Sequence, residues 1–295
     1  MFMRFEIVFS SIDFKREFLT RIGPENTVTS VAHIHRKLHE DKTHLLWLKM
    51  SEPQISIRRN LEEVRNEIAT AISRRPQVMD FDVTFVAVSK RMPNSSIIEA
   101  YDCGVRDFGE NYLQEIVDKS NDPEIMKLCQ EIKWHFIGHL QSNKVTKLIN
   151  ACPNLHMIHS IDSKKVAEAI ERSFCRKQSK EAEECLYVFI QVNTSGEESK
   201  SGIPIEDVED FYLFMKENCP HLVLEGLMTI GSPNHDLTKG PNPDFIALIE
   251  LKKKIKDKYK DNLNLSMGMS QDFLHAIELG SSYVRIGERI FGKRK

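Results

Sequence analysis

Val83-Thr84-Phe85-Val86-Ala87-Val88-Ser89 is a short apolar run, closed by Lys90 and followed by Ile97, Ile98 and Tyr101 at helical spacing. Such a run leading into a periodic segment predicts a buried strand that feeds a helix. The couplet then repeats. Apolar runs recur at 106–109, 134–138, 155–161, 186–192, 224–230, 263–269 and 283–287. Between them lie helical sets such as Leu113, Ile116 and Val117; Val145, Leu148 and Ile149; Val166, Ile170 and Phe174; Val208, Phe211 and Met215; Ile246, Ile249 and Ile255; and Phe273 and Ile277. Alternation of this kind implies parallel strands joined by right-handed crossovers. Eight such units over about 240 residues suit a single closed (β/α)8 TIM barrel, an α/β fold, with an open doubly wound sheet as the competing architecture. In a barrel the chemistry is expected just after each run, in the loops at the C-terminal ends of the strands.

Upstream of the first run, Ile57, Leu61, Val64, Ile68 and Ile72 are spaced by three and four and predict an amphipathic opening helix. Residues 1–54 lack any steady period. They read as a poorly ordered N-terminal extension, with the barrel occupying 55–295 and Met50-Ser51-Glu52-Pro53 resembling a natural start. His33, His35, His39 and His44 lie in that extension without metal-site spacing.

The 295 residues are 41% hydrophobic and 28% charged, with a formal net charge of -2, enough apolar content for a large core and no global basic excess for a nucleic acid. The basic runs at 252–254 and 293–295 read as solvated faces. Six cysteines are dispersed with no Cys-x-x-Cys pair, which suits single thiols in a reducing compartment rather than disulfides or a metal. No run reaches membrane-spanning length, and the patch at 5–9 is too short for a signal-peptide core. A cytoplasmic location is expected. The alternative is a mitochondrial presequence in the first twenty residues, against which Glu6, Asp13 and Glu17 count.

Lys90 ends an otherwise apolar strand, so its amine is expected at the barrel mouth beside low-dielectric walls. Desolvation disfavours an ammonium and leaves the free amine that imine formation with an aldehyde requires; a surface lysine ending a strand is the plain alternative. Closing the barrel makes the last strand a neighbour of the first. Gly268-Met269-Ser270 and Gly287-Glu288 then form the loops after strands seven and eight, where barrel enzymes often hold a phosphate. Alternation points Arg285 into the barrel, where a guanidinium needs a ligand such as a pyridine nitrogen, or a carboxylate. Phe108-Gly109-Glu110-Asn111 and Trp134-His135-Phe136-Ile137-Gly138-His139-Leu140-Gln141 add an amide, imidazoles and a carboxylate to the same face. For His135 and His139 a hydrogen-bonded structural role stands beside an acid–base one. Gly196-Glu197-Glu198-Ser199-Lys200-Ser201-Gly202 lacks the Gly-Lys-Ser/Thr ending of a nucleotide loop and reads as a flap over the mouth with two glycine hinges.

These motifs, with Ala87-Val88-Ser89-Lys90, Glu225-Gly226-Leu227-Met228, Ser266-Met267-Gly268-Met269-Ser270 and Val284-Arg285-Ile286-Gly287, resemble the pyridoxal phosphate homeostasis proteins from about Ile57 to the C-terminus. That family is similar to the N-terminal barrel domain of alanine racemases. The resemblance implies pyridoxal phosphate held by Lys90 as a Schiff base, Asn111, His135 and Met228 lining the ring pocket, Ser270 and the Gly287 backbone on the phosphate, and Arg285 facing the pyridine nitrogen. The family often carries a small hydroxyl residue after the last glycine. Here that position is Glu288, which repels a phosphate unless its side chain turns away.

The resemblance further implies a non-catalytic carrier in vitamin B6 homeostasis, binding the cofactor and delivering it to apo forms of pyridoxal phosphate enzymes. No nucleic acid or membrane partner is expected, and the protein is expected to be a monomer. Two readings compete: an amino acid racemase, and a cofactor-free Schiff-base lyase in which Lys90 attacks a sugar ketone. Against the racemase stand an expected lack of room after Gly287 for a second domain and the guanidinium that would keep the ring nitrogen unprotonated, a poorer electron sink.

Overall fold

The computed structural model describes residues 56–76, 81–177, 185–197, 200–232 and 235–293. The expectation of a poorly ordered extension over residues 1–54 lies outside them. Eight of the strands close into a parallel barrel: β1 (Thr84–Val88), β2 (Asp107–Glu110), β3 (Lys133–Phe136), β4 (Leu155–Ile161), β5 (Leu186–Asn193), β7 (Leu222–Met228), β8 (Asn264–Met269) and β9 (Tyr283–Ile286). A two-residue strand, β6 (Ile203–Pro204), adds a short parallel pairing to β5. The seam is closed by β1 against β9, with Thr84 opposite Tyr283 and Ala87 opposite Ile286. The doubly wound alternative is thereby excluded.

The helices α1 (Ile57–Ser73), α2 (Asn94–Asp102), α3 (Leu113–Ser120), α4 (Pro123–Leu128), α5 (Val145–Ala151), α6 (Lys164–Lys177), α7 (Val208–Asn218), α8 (Pro243–Tyr259), α9 (Phe273–Glu278) and α10 (Glu288–Phe291) wrap the outside. Their apolar faces and the outer faces of the strands make one large core. Ser56 caps α1 by accepting from the Arg59 N–H at 3.3 Å. The buried face of α1 is Ile57, Leu61, Val64, Ile68 and Ala71; Ile72, the last residue of the expected stripe, is exposed. The drift arises because 3.6 residues per turn rotates a strict three–four repeat off the contact line. Helix α1 packs on α9 and α10, and Asn60 Nδ2 donates to the Ile290 carbonyl at 2.8 Å. The last helix has only one turn, so α1 covers the barrel where an eighth crossover helix would lie. Burying each of its larger side chains contributes about 1.5–3 kcal/mol.

Inside the barrel a second, smaller apolar cluster joins Met157, Phe189 and Met228, with Tyr187 and Tyr283 packed on it. Among the described residues no helix is long and apolar enough to cross a membrane.

Candidate functional site

At the C-terminal ends of the strands lies a cavity of about 390 Å³, within the range of small-molecule sites. Its walls are Val88, Lys90, Asn111, Ile137, Ile230, Met269, Ser270, Gln271, Asp272, Arg285, Gly287 and Glu288. Five of the seven residues singled out in the sequence, Lys90, Asn111, Ser270, Arg285 and Gly287, therefore share one wall system.

Lys90 stands two residues beyond β1, in a turn closed by the Met92 N–H donating to the Ser89 carbonyl at 2.9 Å. Arg91 takes φ +61, a conformation costly for a residue with a Cβ, and its N–H is held by Glu115 Oε1 at 2.5 Å. Beneath this turn Ser89 Oγ donates to Glu110 Oε1 at 2.7 Å, and the buried Lys119 ammonium donates to the same oxygen at 2.7 Å and to the Ser89 carbonyl at 2.8 Å. Burial pushes the Glu110 carboxyl up to about 7, against the pull of Lys119 and Ser89. The ends of β1 and β2 are thus bolted together behind Lys90.

Asn111 is fixed by the next loop. A Cβ on Gly138 would lie 1.9 Å from the Asn111 carbonyl oxygen, so only glycine permits this approach of the β3 loop to the β2 loop. The Asn111 Oδ1 is buried without a partner, which leaves capacity for a ligand. Across the cavity the Gly287 N–H donates to Ser270 Oγ at 3.1 Å. Gly268, which opens the Ser270 loop, has φ +95, and a Cβ there would meet Ala276 Cβ at 2.5 Å. Hydroxyl and N–H together suit a phosphate.

Arg285 forms the floor, only 5% exposed. Its Nη1 donates to Ser266 Oγ at 2.7 Å and its Nη2 to the Thr229 carbonyl at 2.8 Å. Burial pulls the guanidinium down to about 10, with Asp272 opposing, so it stays charged at neutral pH. Asp272 itself is raised by burial, opposed by the Met269 N–H on its Oδ1 at 2.6 Å.

His135 and Met228, expected to line a ring pocket, are not among the residues that line this cavity. Neither reaches the cavity: Met228 packs with Met157 and Phe189, and His135 is fully buried between His159 and Asp107 at 3.0 and 2.9 Å. Side-chain alternation gives the face of a strand, not the depth within a barrel. His139 is exposed and bonds Asp162 at 2.9 Å and Ser201 at 3.2 Å, outside the cavity wall. Of the expected flap at 196–202, residues 198 and 199 lie outside the described residues. Its described flanks are tied down by Gln191 Nε2 to the Ser201 carbonyl at 2.8 Å, by Asn193 Nδ2 to the Glu197 carbonyl at 2.9 Å, and by β6 against β5. Residues the sequence did not single out include Asp107, His159, Ser266 and Asp272. A histidine inside the apolar run 155–161 and a serine inside 263–269 were the available signals.

Glu288 lines the cavity yet is solvent-exposed, so water screens it. Glu288→Ser should tighten binding of a phosphate-bearing ligand by roughly twofold to fivefold at low salt, with the gain shrinking as salt rises. Titrations of phosphate-bearing ligand at two ionic strengths check this; equal affinities at low salt would show that the carboxylate does not act on the phosphate.

The sequence profile described as alanine racemase, N-terminal domain, matches residues 57–295. The Homo sapiens pyridoxal phosphate homeostasis protein is 48% identical over 238 residues, 79% of this chain and 85% of its own length. A protein of the same name from Haemophilus influenzae is 38% identical over 242 residues, 81% of this chain and 97% of its own. Among solved structures, Synechococcus elongatus PipY with PLP bound superposes with a TM-score of 0.65 and 28% identity, covering 80% of this chain and 100% of that one. Corynebacterium glutamicum alanine racemase superposes at 0.51 with 16% identity, over 78% of this chain and 61% of its own, a likeness of fold.

Proposed function

Because the chain belongs to the pyridoxal phosphate homeostasis protein family, on the alanine racemase N-terminal-domain barrel, we propose that its mouth cavity holds pyridoxal phosphate and that the protein buffers and delivers the cofactor rather than turning over a substrate. The residues present fit that group. Lys90 offers the amine, Ser270 Oγ and the Gly287 N–H would take the phosphate, Asn111 has an unsatisfied Oδ1 for a polar ring substituent, and Arg285 would face the ring nitrogen. Pyridoxal phosphate, when bound, supplies an aldehyde that condenses with an amine and a ring that can take up electrons. Recipients are the apo forms of enzymes that use it, met as a monomer in the cytoplasm. The free state of all six cysteines supports a reducing compartment.

One observation carries the carrier reading: the buried, charged Arg285 at the cavity floor. A guanidinium donates and cannot accept, so a ring nitrogen against it must stay unprotonated. That keeps the ring a weak electron sink and favours holding over transformation.

Reconstituted wild-type protein should absorb in the visible, exchange the α-proton of alanine at no useful rate, and activate an apoenzyme on mixing. Arg285→Glu should keep the cofactor but shift its spectrum and raise slow amino-group chemistry, since a carboxylate favours the protonated ring. A folded variant with unchanged spectrum and side-reaction rate would remove Arg285 from the ring. Rapid alanine exchange by the wild type would make the protein an enzyme.

A further inference from the structure

Below the cavity, four side chains continue from Arg285 through the barrel lumen. Arg285 Nη1 meets Ser266 Oγ at 2.7 Å; Ser266 Oγ meets His159 Nδ1 at 3.0 Å; His159 Nε2 meets His135 Nδ1 at 3.0 Å; His135 Nε2 meets Asp107 Oδ1 at 2.9 Å. The chain passes from β9 to β8, crosses to β4, and ends on the first residue of β2. Ser266, His159 and His135 have no measurable exposure, whereas the Asp107 side chain is 22% exposed.

The polarity of this chain is dictated from both ends. A guanidinium has only donors, so Ser266 Oγ accepts from it and has its own hydrogen left for His159 Nδ1. His159 Nδ1 is then bare, and a neutral His159 carries its hydrogen on Nε2, toward His135 Nδ1. His135 in turn carries its hydrogen on Nε2, toward Asp107. Starting instead from Asp107, an ionised carboxylate has only acceptors and forces the same assignment. Every donor meets an acceptor with both imidazoles neutral.

We infer that Asp107, His135, His159 and Ser266 are positioning residues for Arg285, a one-way hydrogen-bond chain that holds Ser266 Oγ as an acceptor and so fixes the guanidinium at the cavity floor. The inference rests on the proposed contact of Arg285 with the ring nitrogen for its functional meaning, but the chain itself exists without cofactor.

The surroundings agree. Phe189 stacks on His159 at 4.8 Å between centroids, and Tyr283 meets it edge-on at 6.0 Å. The titratable or charged groups facing the two imidazoles are Asp107, His156, Tyr283 and Arg285. Burial, then His135 and Arg285, hold His159 well below the ordinary imidazole value, and burial likewise takes His156 to about 4. Asp107 is raised by burial but lowered more by its His135 hydrogen bond and nearby positive charge, and stays ionised.

The first test is ¹⁵N NMR of the histidines in cofactor-free protein, assigned with His135→Gln and His159→Gln. Both rings should carry their hydrogen on Nε2 and leave Nδ1 bare at neutral pH. A hydrogen on Nδ1 of either ring overturns the chain, whatever the fate of the cofactor reading.

The second test compares His159→Leu with His159→Gln after reconstitution with pyridoxal phosphate. Gln can accept from Ser266 through Oε1 and donate to His135 through Nε2, preserving the polarity, whereas Leu leaves the Ser266 hydroxyl free to turn. The Leu form should lose cofactor roughly tenfold to hundredfold more readily, the scale of one hydrogen bond to a charged group, with a shifted absorption band. The Gln form should restore both. If the Leu form fails to fold, the Gln form decides: wild-type spectrum and retention support the chain, and loss of either overturns it. A folded Leu form indistinguishable from wild type also overturns it.

Discussion

Lys90→Ala should abolish the visible imine absorption of the reconstituted protein, and borohydride should then fix no phosphopyridoxyl group anywhere on the chain. In the wild type the same treatment should label one peptide, the one containing Lys90. The effect is expected to be complete because the bond lost would be covalent; the holds proposed to remain, Ser270 Oγ, the Gly287 N–H and Arg285, would be hydrogen bonds worth about 1.5–3 kcal/mol each when one partner is charged. The fold survives. Lys90 sits in a turn past the end of β1 and is only partly buried, so truncation should cost within about 1 kcal/mol. Peptide mass mapping after reduction decides. A label on the variant at Lys119, the buried lysine just beneath the turn, would transfer the assignment there. Lys119 Nζ is instead engaged by Glu110 Oε1 and the Ser89 carbonyl, which hold it away from the cavity wall.

Lys119→Met is the second large effect, and it falls on stability. The substitution keeps the apolar stem but leaves the Glu110 carboxylate, with no exposed surface, facing only Ser89 Oγ. Breaking one side of a buried ion pair costs about 3–5 kcal/mol. The loss depends on pH. Burial already raises Glu110 from 4.5 to about 7, and without Lys119 it rises further. A carboxyl whose folded value exceeds its unfolded one binds protons more tightly when folded, so its contribution is most favourable at low pH and is lost as pH climbs from 4.5 through the folded value. Urea unfolding should therefore show the full deficit near pH 8 and a much smaller one near pH 5, and Glu110→Gln added to Lys119→Met should recover most of it. A variant as stable as wild type at pH 8, or a deficit independent of pH, would show that the pair is not what bolts β1 to β2.

The barrel was legible because its strands are buried on both faces and write themselves as continuous apolar runs, while the outer helices must show stripes. Run 155–161 matches β4 to the residue, and run 186–192 misses only Asn193. Elsewhere the ends drift: run 224–230 becomes Leu222–Met228, leaving Ile230 43% exposed on the cavity wall. Lys90, Asn111, Ser270, Arg285 and Gly287 were legible because loop position after a strand fixes them to one end of the barrel. That His135 and Met228 lie off the cavity wall was not legible, because nothing in a single strand reports how far down the lumen a residue lies. The Arg285-to-Asp107 chain was unreadable for a different reason: its five members come from five strands and 179 sequence positions, and only closure makes them neighbours. The Lys119–Glu110 pair joins a helix to a strand end nine residues away, and an outward helical lysine gives no sign that it turns inward.

The seam between β1 and β9 has a consequence for timing. Lys90 follows the first barrel strand and Gly287 the last, so the two halves of the pocket leave the ribosome 197 residues apart. At about 5–20 residues per second, the amine waits roughly 10–40 s before its phosphate loop exists. During that interval the nascent chain has an open sheet edge at β1 and lacks the Arg285 floor and the Gly287 N–H. Assembly of the whole pocket therefore waits for β9, and a chain cut short before β9 is expected to hold the cofactor through the Lys90 amine without them.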